Sequence, residues 1–267
     1  MPSHFSTIGF DIRTEEDLVA LANELAGNTN PVKARNGKYL RWRGTGGEEL
    51  WLQVDRAGEL IGMHPHFDGP SLLRIGLASR VRRSDQTALD GAFHCWADPE
   101  NEAPDSGAYP FVFDVPDSAT YKDLEVPGLA VAQVAAFAHE VSCFDSEEEF
   151  NASQSSRELK FAPMSFIPSG MFGSELGPDG NPEAMAIFTG SVAQARTLTN
   201  QLTAAKYYWA QVDTLGGKFD VVVDPTLLAS EPRTGNVLSG SFWLSGRLRD
   251  YPRRRRHILG KLLGDAG

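Results

Sequence analysis

Residues 237–248 read VLSGSFWLSGRL. Taken with a period of two, Leu238, Phe242, Leu244 and Leu248 fall on one face. Ser239, Ser241, Trp243, Ser245 and Arg247 fall on the other. That is the pattern of a strand half buried in a sheet. Gly240 and Gly246 lie on the apolar face, where a strand bends or another backbone comes close. A chain with so long a period-two segment has to build a sheet around it. Trp243 stands among serines, so the polar face must also meet something: a second layer, another chain or a ligand.

The same signature recurs upstream. Strands are predicted at 184–193, 207–215, 218–224 and 237–248, with Gly216–Gly217 turning the second into the third. On 207–215, Tyr208, Ala210 and Val212 read as buried, which leaves Tyr207, Trp209, Gln211 and Asp213 opposite. Lys218 and Asp220 follow on the next strand. Near the start, GKYLRWRG and EELWLQVD flank Gly46–Gly47 and predict a hairpin. Its apolar side holds Leu40, Trp42, Leu50, Leu52 and Val54. Its polar side holds Tyr39, Arg41, Arg43, Glu49 and Trp51. Polar-side aromatics on both parts predict that the two sheets bury these faces against each other. An oligomer interface, or a ligand face of Trp51, Tyr207, Trp209, Lys218, Trp243 and Arg247, are the alternatives, since aromatics and Arg are enriched at interfaces.

Helices are few. Thr14 opens TEEDLVALANELAG with a capping-box spacing to Asp17, a leucine stripe and a stop at Gly27. FDSEEEFNASQ reads as a short helix capped by Asp145 or Ser146. Residues 4–12 alternate enough for a strand; so do 72–83, 91–96 and the short YPFVFDVPD. Residues 129–144 permit helix or strand, and the odd-numbered apolar positions tip the reading to strand. The Pro/Gly-rich stretch 162–183 reads as a boundary or a long ordered loop between an N-terminal α+β part (1–161) and a β meander (184–250). A basic helix (251–267) follows. The fold class is α+β, mostly β, with antiparallel sheets and a C-terminal Greek-key barrel.

FTGSV, KYYWAQVDTLGGKFDVVVDP and TGNVLSGSFWLSGRL resemble the OB-fold pattern of a Gly-bearing strand, a meander and a Gly-led return strand. The resemblance covers roughly residues 184–248. It implies a small barrel of a kind that often binds nucleic acids or sugars. The family's fifth strand does not follow Leu248, so it would have to come from elsewhere, such as 129–144. Residues 1–70 more faintly resemble a vicinal-oxygen-chelate half-module, in which His4 would sit at a metal-ligand position.

The chain's 267 residues carry 25 Lys and Arg against 35 Asp and Glu, a net charge of −10. That argues against general binding to nucleic acid or anionic membranes. Against this background, residues 247–261 hold seven cations and one acid. Two cysteines do not make a disulfide framework, which fits a reducing cytoplasm. No leader pattern opens the sequence, and the most apolar run, 129–138, is too short to span a bilayer.

Three histidine motifs are candidates for chemistry. His64-Pro65-His66 with Asp68 places two imidazoles on one side of an extended chain, within reach of one metal; otherwise they are solvated loop residues. His139 and Cys143 would be one turn apart on a helix but about 13 Å apart on a strand, too far for one ion. His94 and Cys95 point to opposite faces of a strand and cannot form a dyad. In the tail, Arg253, Arg254, Arg255 and Arg256 precede a short leucine stripe, readable as a nucleic-acid contact or as a docked helix. The sequence names no cofactor. It points to a cytosolic binding or assembly module with an aromatic cleft between two sheets. A metal-dependent enzyme using His64 and His66, and a single-strand nucleic-acid binder using the tail, are the alternatives. Homo-oligomerisation is open.

Overall fold

The computed structural model describes residues 3–84, 86–156, 160–169 and 182–253. Four strands, β1 (Asn30–Ala34), β2 (Gly37–Arg43), β3 (Glu48–Asp55) and β4 (Leu60–Phe67), form an antiparallel meander in that order. The predicted hairpin is its centre, with Arg43 opposite Glu49. Helix α1 (Glu15–Leu25) opens as expected: Asp17 N–H donates to Thr14 Oγ1, and Asp17 Oδ2 accepts from the Thr14 N–H. Its Leu21, Ala22 and Leu25 join Trp42, Leu50, Leu52, Met63 and Phe67 in one apolar cluster.

The remaining strands build a nine-stranded sheet: β5 (Leu73–Val81), β6 (Ala92–Ala97), β7 (Tyr109–Asp114), β8 (Gly128–Phe144), β9 (Ser165–Pro168), β10 (Met185–Thr199), β11 (Lys206–Thr214), β12 (Gly217–Val223) and β13 (Val237–Asp250). Residues 129–144 are thus a strand. The seventeen-residue β8 runs antiparallel to β13 and parallel to β12. Because β13 also pairs with β10, β10 with β11 and β11 with β12, the pairings of these five strands close on themselves. A single bridge, Ser245 to Asp114, links β13 to β7, so β5, β6 and β7 complete a second circuit on the same β8–β13 pair.

The first-noted strand behaves as its pattern requires. A Cβ at Gly240 would lie 2.2 Å from the Glu140 carbonyl oxygen, so only glycine lets β8 approach there. Phe242 and Phe188 stack with centroids 3.9 Å apart, and Phe166 and Phe219 extend the stack. Each such buried ring contributes about 1.5–3 kcal/mol of transfer free energy.

Two expectations are corrected. Residues 4–12 form a 3₁₀ turn (Ser6–Ile8) ended by Gly9 at φ +83°, not a strand. Ser6 and Thr7 hydroxyls hydrogen-bond nearby carbonyls, which competes with strand pairing. His64-Pro65-His66 is not a solvated loop but part of β4, with His66 fully buried. Strands from both sides of residues 162–183 share the large sheet, β5–β8 with β9–β13, and Ser165–Pro168 is itself a strand. α2 (Glu147–Ser153) carries the predicted Ser146 cap, whose hydroxyl accepts from Glu149 N–H. Of the predicted tail helix, residues 254–267 lie outside the described residues. Among the described residues no helix is long and apolar enough to cross a membrane.

Candidate functional site

The face of the small sheet that carries Glu49, Trp51, His64 and His66 turns towards the β13 face that carries Trp243, Ser245 and Arg247. Arg247 sits over the Trp51 ring at 4.6 Å, with Nη1 3.7 Å from Glu49. His66 Nδ1 is 3.0 Å from Ser245 Oγ. The two polar faces read from the sequence therefore meet. Their aromatics are closed in: Trp51, Trp209, Trp243 and Tyr207 are all buried.

Each tryptophan is anchored through its Nε1–H to a different carboxylate. Trp51 donates to Glu49 at 2.8 Å, Trp209 to Asp220 at 3.0 Å and Trp243 to Asp114 at 2.7 Å. No described ring contact joins any two of these three tryptophans. The seam is filled rather than open. Tyr207 donates to Glu48 at 2.8 Å. Lys218 stands apart at the end of its hairpin, half exposed and paired with Asp213 at 3.3 Å.

A charged network runs through the seam. Glu49, with no exposed side-chain surface, pairs with Arg41 and lies near Arg43 and Arg247. Arg247 also holds Asp117 at 2.9 Å, while Asp68 pairs with Arg43 and Arg249. Burial drives the His66 pKa well below its ordinary value, and Arg247, Arg249 and Arg41 add to the effect. His66 is therefore a neutral, enclosed imidazole. Burial also raises the Asp117 carboxyl, although Arg247 opposes it.

Thus the three proposed metal ligands have separate partners. His66 meets Ser245, Asp68 meets Arg41, Arg43 and Arg249, and His64 Nε2 lies 2.8 Å from Asp90. Among the described residues no group of three or more His, Cys, Asp or Glu converges to hold a metal. His94 and His139 have their pKa values lowered by burial, and Cys95 is fully buried with its thiol pushed up. His139 instead meets His4, Nε2 to Nε2, at 2.5 Å, and His4 stacks on Trp243 at 4.2 Å. Burial first, then His139 and His64, lowers the His4 pKa to about 3. Arg253 lies over Tyr251; Arg254, Arg255 and Arg256 fall outside the described residues.

The His64–Asp90 pair is the titrating part of the site. Burial works against a charged His64, but the Asp90 hydrogen bond and charge outweigh it and raise the pKa above 6.5. Asp90 is held below the usual carboxylate range, again against burial, by His64, Gln53 and the Thr87 N–H. The pair's contribution to stability is complete between about pH 4 and 6.5, where both unfolded groups would also be charged. It fades as pH rises through the folded His64 value and as pH falls through the folded Asp90 value. An NMR titration should show His64 titrating above 6.5 and falling in Asp90→Asn. No fall in that variant would refute the pairing.

Asp90 also lines an opening at the junction of the sheets. This cleft, of about 860 Å³, is bordered by Arg35, Arg56, Arg80, Arg82 and Lys122, and Asp90 is its one acid among the described lining residues. It thus gathers five of the chain's 25 Lys and Arg but one of its 35 Asp and Glu. All five cations are exposed. The sequence reading missed this cluster. Its residues sit at two small-sheet turns, at the end of β5 and after β7. The one local signal was the run Arg80-Val81-Arg82-Arg83.

No family model, curated protein or solved structure matches this chain.

Proposed function

We propose that this chain is a binding module that takes an anionic ligand into the basic cleft between its two sheets. The observation that carries the reading is the concentration of five exposed cations around 860 Å³ on an otherwise acidic chain. Such a cleft focuses potential and draws anions, and its volume lies within the range of small-molecule sites. The aromatic cleft expected from the sequence supports binding less well, because its rings are buried between the sheets. A metal-dependent role is also less well supported, with His64, His66 and Asp68 each engaged elsewhere.

We read the closed circuit of β10, β11, β12, β8 and β13 as an OB-type arrangement, with β8 in the place of the fifth strand. What supports this is the strand order and the parallel β12–β8 pair. Single-strand binding on such a part would need exposed rings to stack bases. Tyr207, Trp209 and Trp243 are not exposed.

Calorimetric titration with tripolyphosphate tests the reading. Binding should be measurable at low salt and should weaken as ionic strength rises. The double reversal Arg35→Glu with Lys122→Glu should abolish it while the circular dichroism spectrum is unchanged. Absent binding, or equal binding to the reversed variant, would overturn the proposal.

A further inference from the structure

Resting on that reading, we infer that the cleft's ligand is a small polyol or sugar carrying two phosphate groups, one held by each sheet. The cations form two separate lips. On the small sheet, Arg35 and Arg56 come from the β1–β2 and β3–β4 turns. Arg56 Nη2 binds them into one unit by donating to the Arg35 carbonyl at 3.1 Å and to Asn36 Oδ1 at 3.3 Å. On the large sheet, Arg80 and Arg82 end and follow β5, and Lys122 follows β7. Arg80 Nη2 donates to the Tyr121 carbonyl at 2.7 Å and so joins these two segments.

The rest of the described lining is different. Besides Asp90, Asn36, Val81, Ser118 and Tyr121 it consists of the small residues Ala34, Ala88, Gly91, Ala92 and Ala119. Below it the Tyr39 hydroxyl staples the sheets, donating to the Leu89 carbonyl at 2.6 Å and accepting from the Ala119 N–H at 2.9 Å. A sphere of 860 Å³ is about 12 Å across, within the size range of small-molecule sites, and a single phosphate does not fill it. Two anionic groups joined by a spacer match two cationic lips better than one concentrated anion does, because each phosphate then meets guanidinium or ammonium donors.

The other polar groups of the lining decide the character of the spacer. Asp90 is already held by His64, Gln53 and the Thr87 N–H, whereas Asn36 and Ser118 bring uncharged hydrogen-bonding groups that suit hydroxyls. The one aromatic side chain among the described lining residues, Tyr121, offers a nucleobase no platform, since it is 6% exposed and packs its ring against Phe93 and Tyr251. Hydroxyl-rich carbon between two phosphates satisfies both conditions.

Fructose 1,6-bisphosphate, fructose 6-phosphate, ATP and tripolyphosphate serve as probes, each titrated calorimetrically into the full chain. The bisphosphate should bind at least about tenfold more tightly than the monophosphate, because the second phosphate binds intramolecularly. Arg35→Glu alone and Lys122→Glu alone should each remove that advantage. The monophosphate should respond strongly to only one of the two reversals. Equal affinity for mono- and bisphosphate would overturn bridging yet leave anion binding standing. ATP binding more tightly than the bisphosphate would overturn the polyol spacer. If tripolyphosphate also fails to bind, the anion reading itself falls. Both reversals sit at exposed positions, and unchanged thermal unfolding would confirm that each variant is folded.

Discussion

Replacing Glu49 by alanine should cost about 3–5 kcal/mol of folding stability, the range for removing one partner of a buried ion pair. Glu49 is wholly enclosed and sits where the small sheet meets β13. Its Oε1 takes the Arg41 guanidinium; its Oε2 accepts from Trp51 at 2.8 Å and faces Arg247 at 3.7 Å. Alanine leaves Arg41 without its closest carboxylate and Trp51 Nε1 without an acceptor. Arg247 keeps Asp117, so the loss falls mainly on Arg41 and the indole. Glu49→Gln separates charge from shape, because its amide oxygen still accepts from Trp51. If charge compensation dominates, Gln should be nearly as damaging as Ala. Leu at both 41 and 49 should recover much of the loss, since apolar replacement of a buried pair is often neutral or stabilising. Urea unfolding with an unchanged m-value measures each step. A loss below about 1 kcal/mol for Glu49→Ala would mean that the pair behaves as a solvated one.

Such a network was partly legible in the sequence. Arg41, Glu49, Trp51 and Arg247 were all on faces whose alternation left aromatics and charges together, and the meeting of those faces followed from the tryptophans having no other cover. The local elements most clearly written were those closed by short-range chemistry: α1 by Thr14 and Asp17, the β11–β12 hairpin by Gly216–Gly217, and α2 by Ser146. β4 was less legible because its Pro65 breaks the strand signature. The burial of His66 also comes from Ser245, 179 positions away. The 3₁₀ turn at Ser6–Ile8 was hidden because hydroxyl-to-carbonyl bonds leave no mark on hydrophobic periodicity. The basic cleft was least legible of all. Arg35, Arg56, Arg82 and Lys122 have no shared spacing, and only the docking of one sheet on the other makes them neighbours.

Trp243→Ala should be among the most damaging single substitutions, at about 3–5 kcal/mol, the usual cost of emptying a buried tryptophan site. The ring lies at the crossing of three elements. It stacks on His4 at 4.2 Å, meets Phe137 at 5.0 Å and donates to Asp114 at 2.7 Å. Removing it frees the N-terminal segment from β13 and opens a void beside β8. Asp114 is not orphaned, because Arg83 Nη1 holds its other oxygen at 2.7 Å. The penalty should therefore come chiefly from lost packing, and Trp243→Phe distinguishes the terms. Phenylalanine keeps most of the apolar contact but gives up the indole donor, so a cost of about 1–3 kcal/mol is expected. Adding His4→Ala to Trp243→Ala should cost less than the sum of the separate losses, because the two rings share one contact. Against a chain whose whole stability is about 5–15 kcal/mol, the alanine variant should unfold at markedly lower urea. If it instead keeps wild-type stability while anion binding is lost, Trp243 serves a ligand rather than the seam. The face read from VLSGSFWLSGRL would then have to be placed on the binding surface.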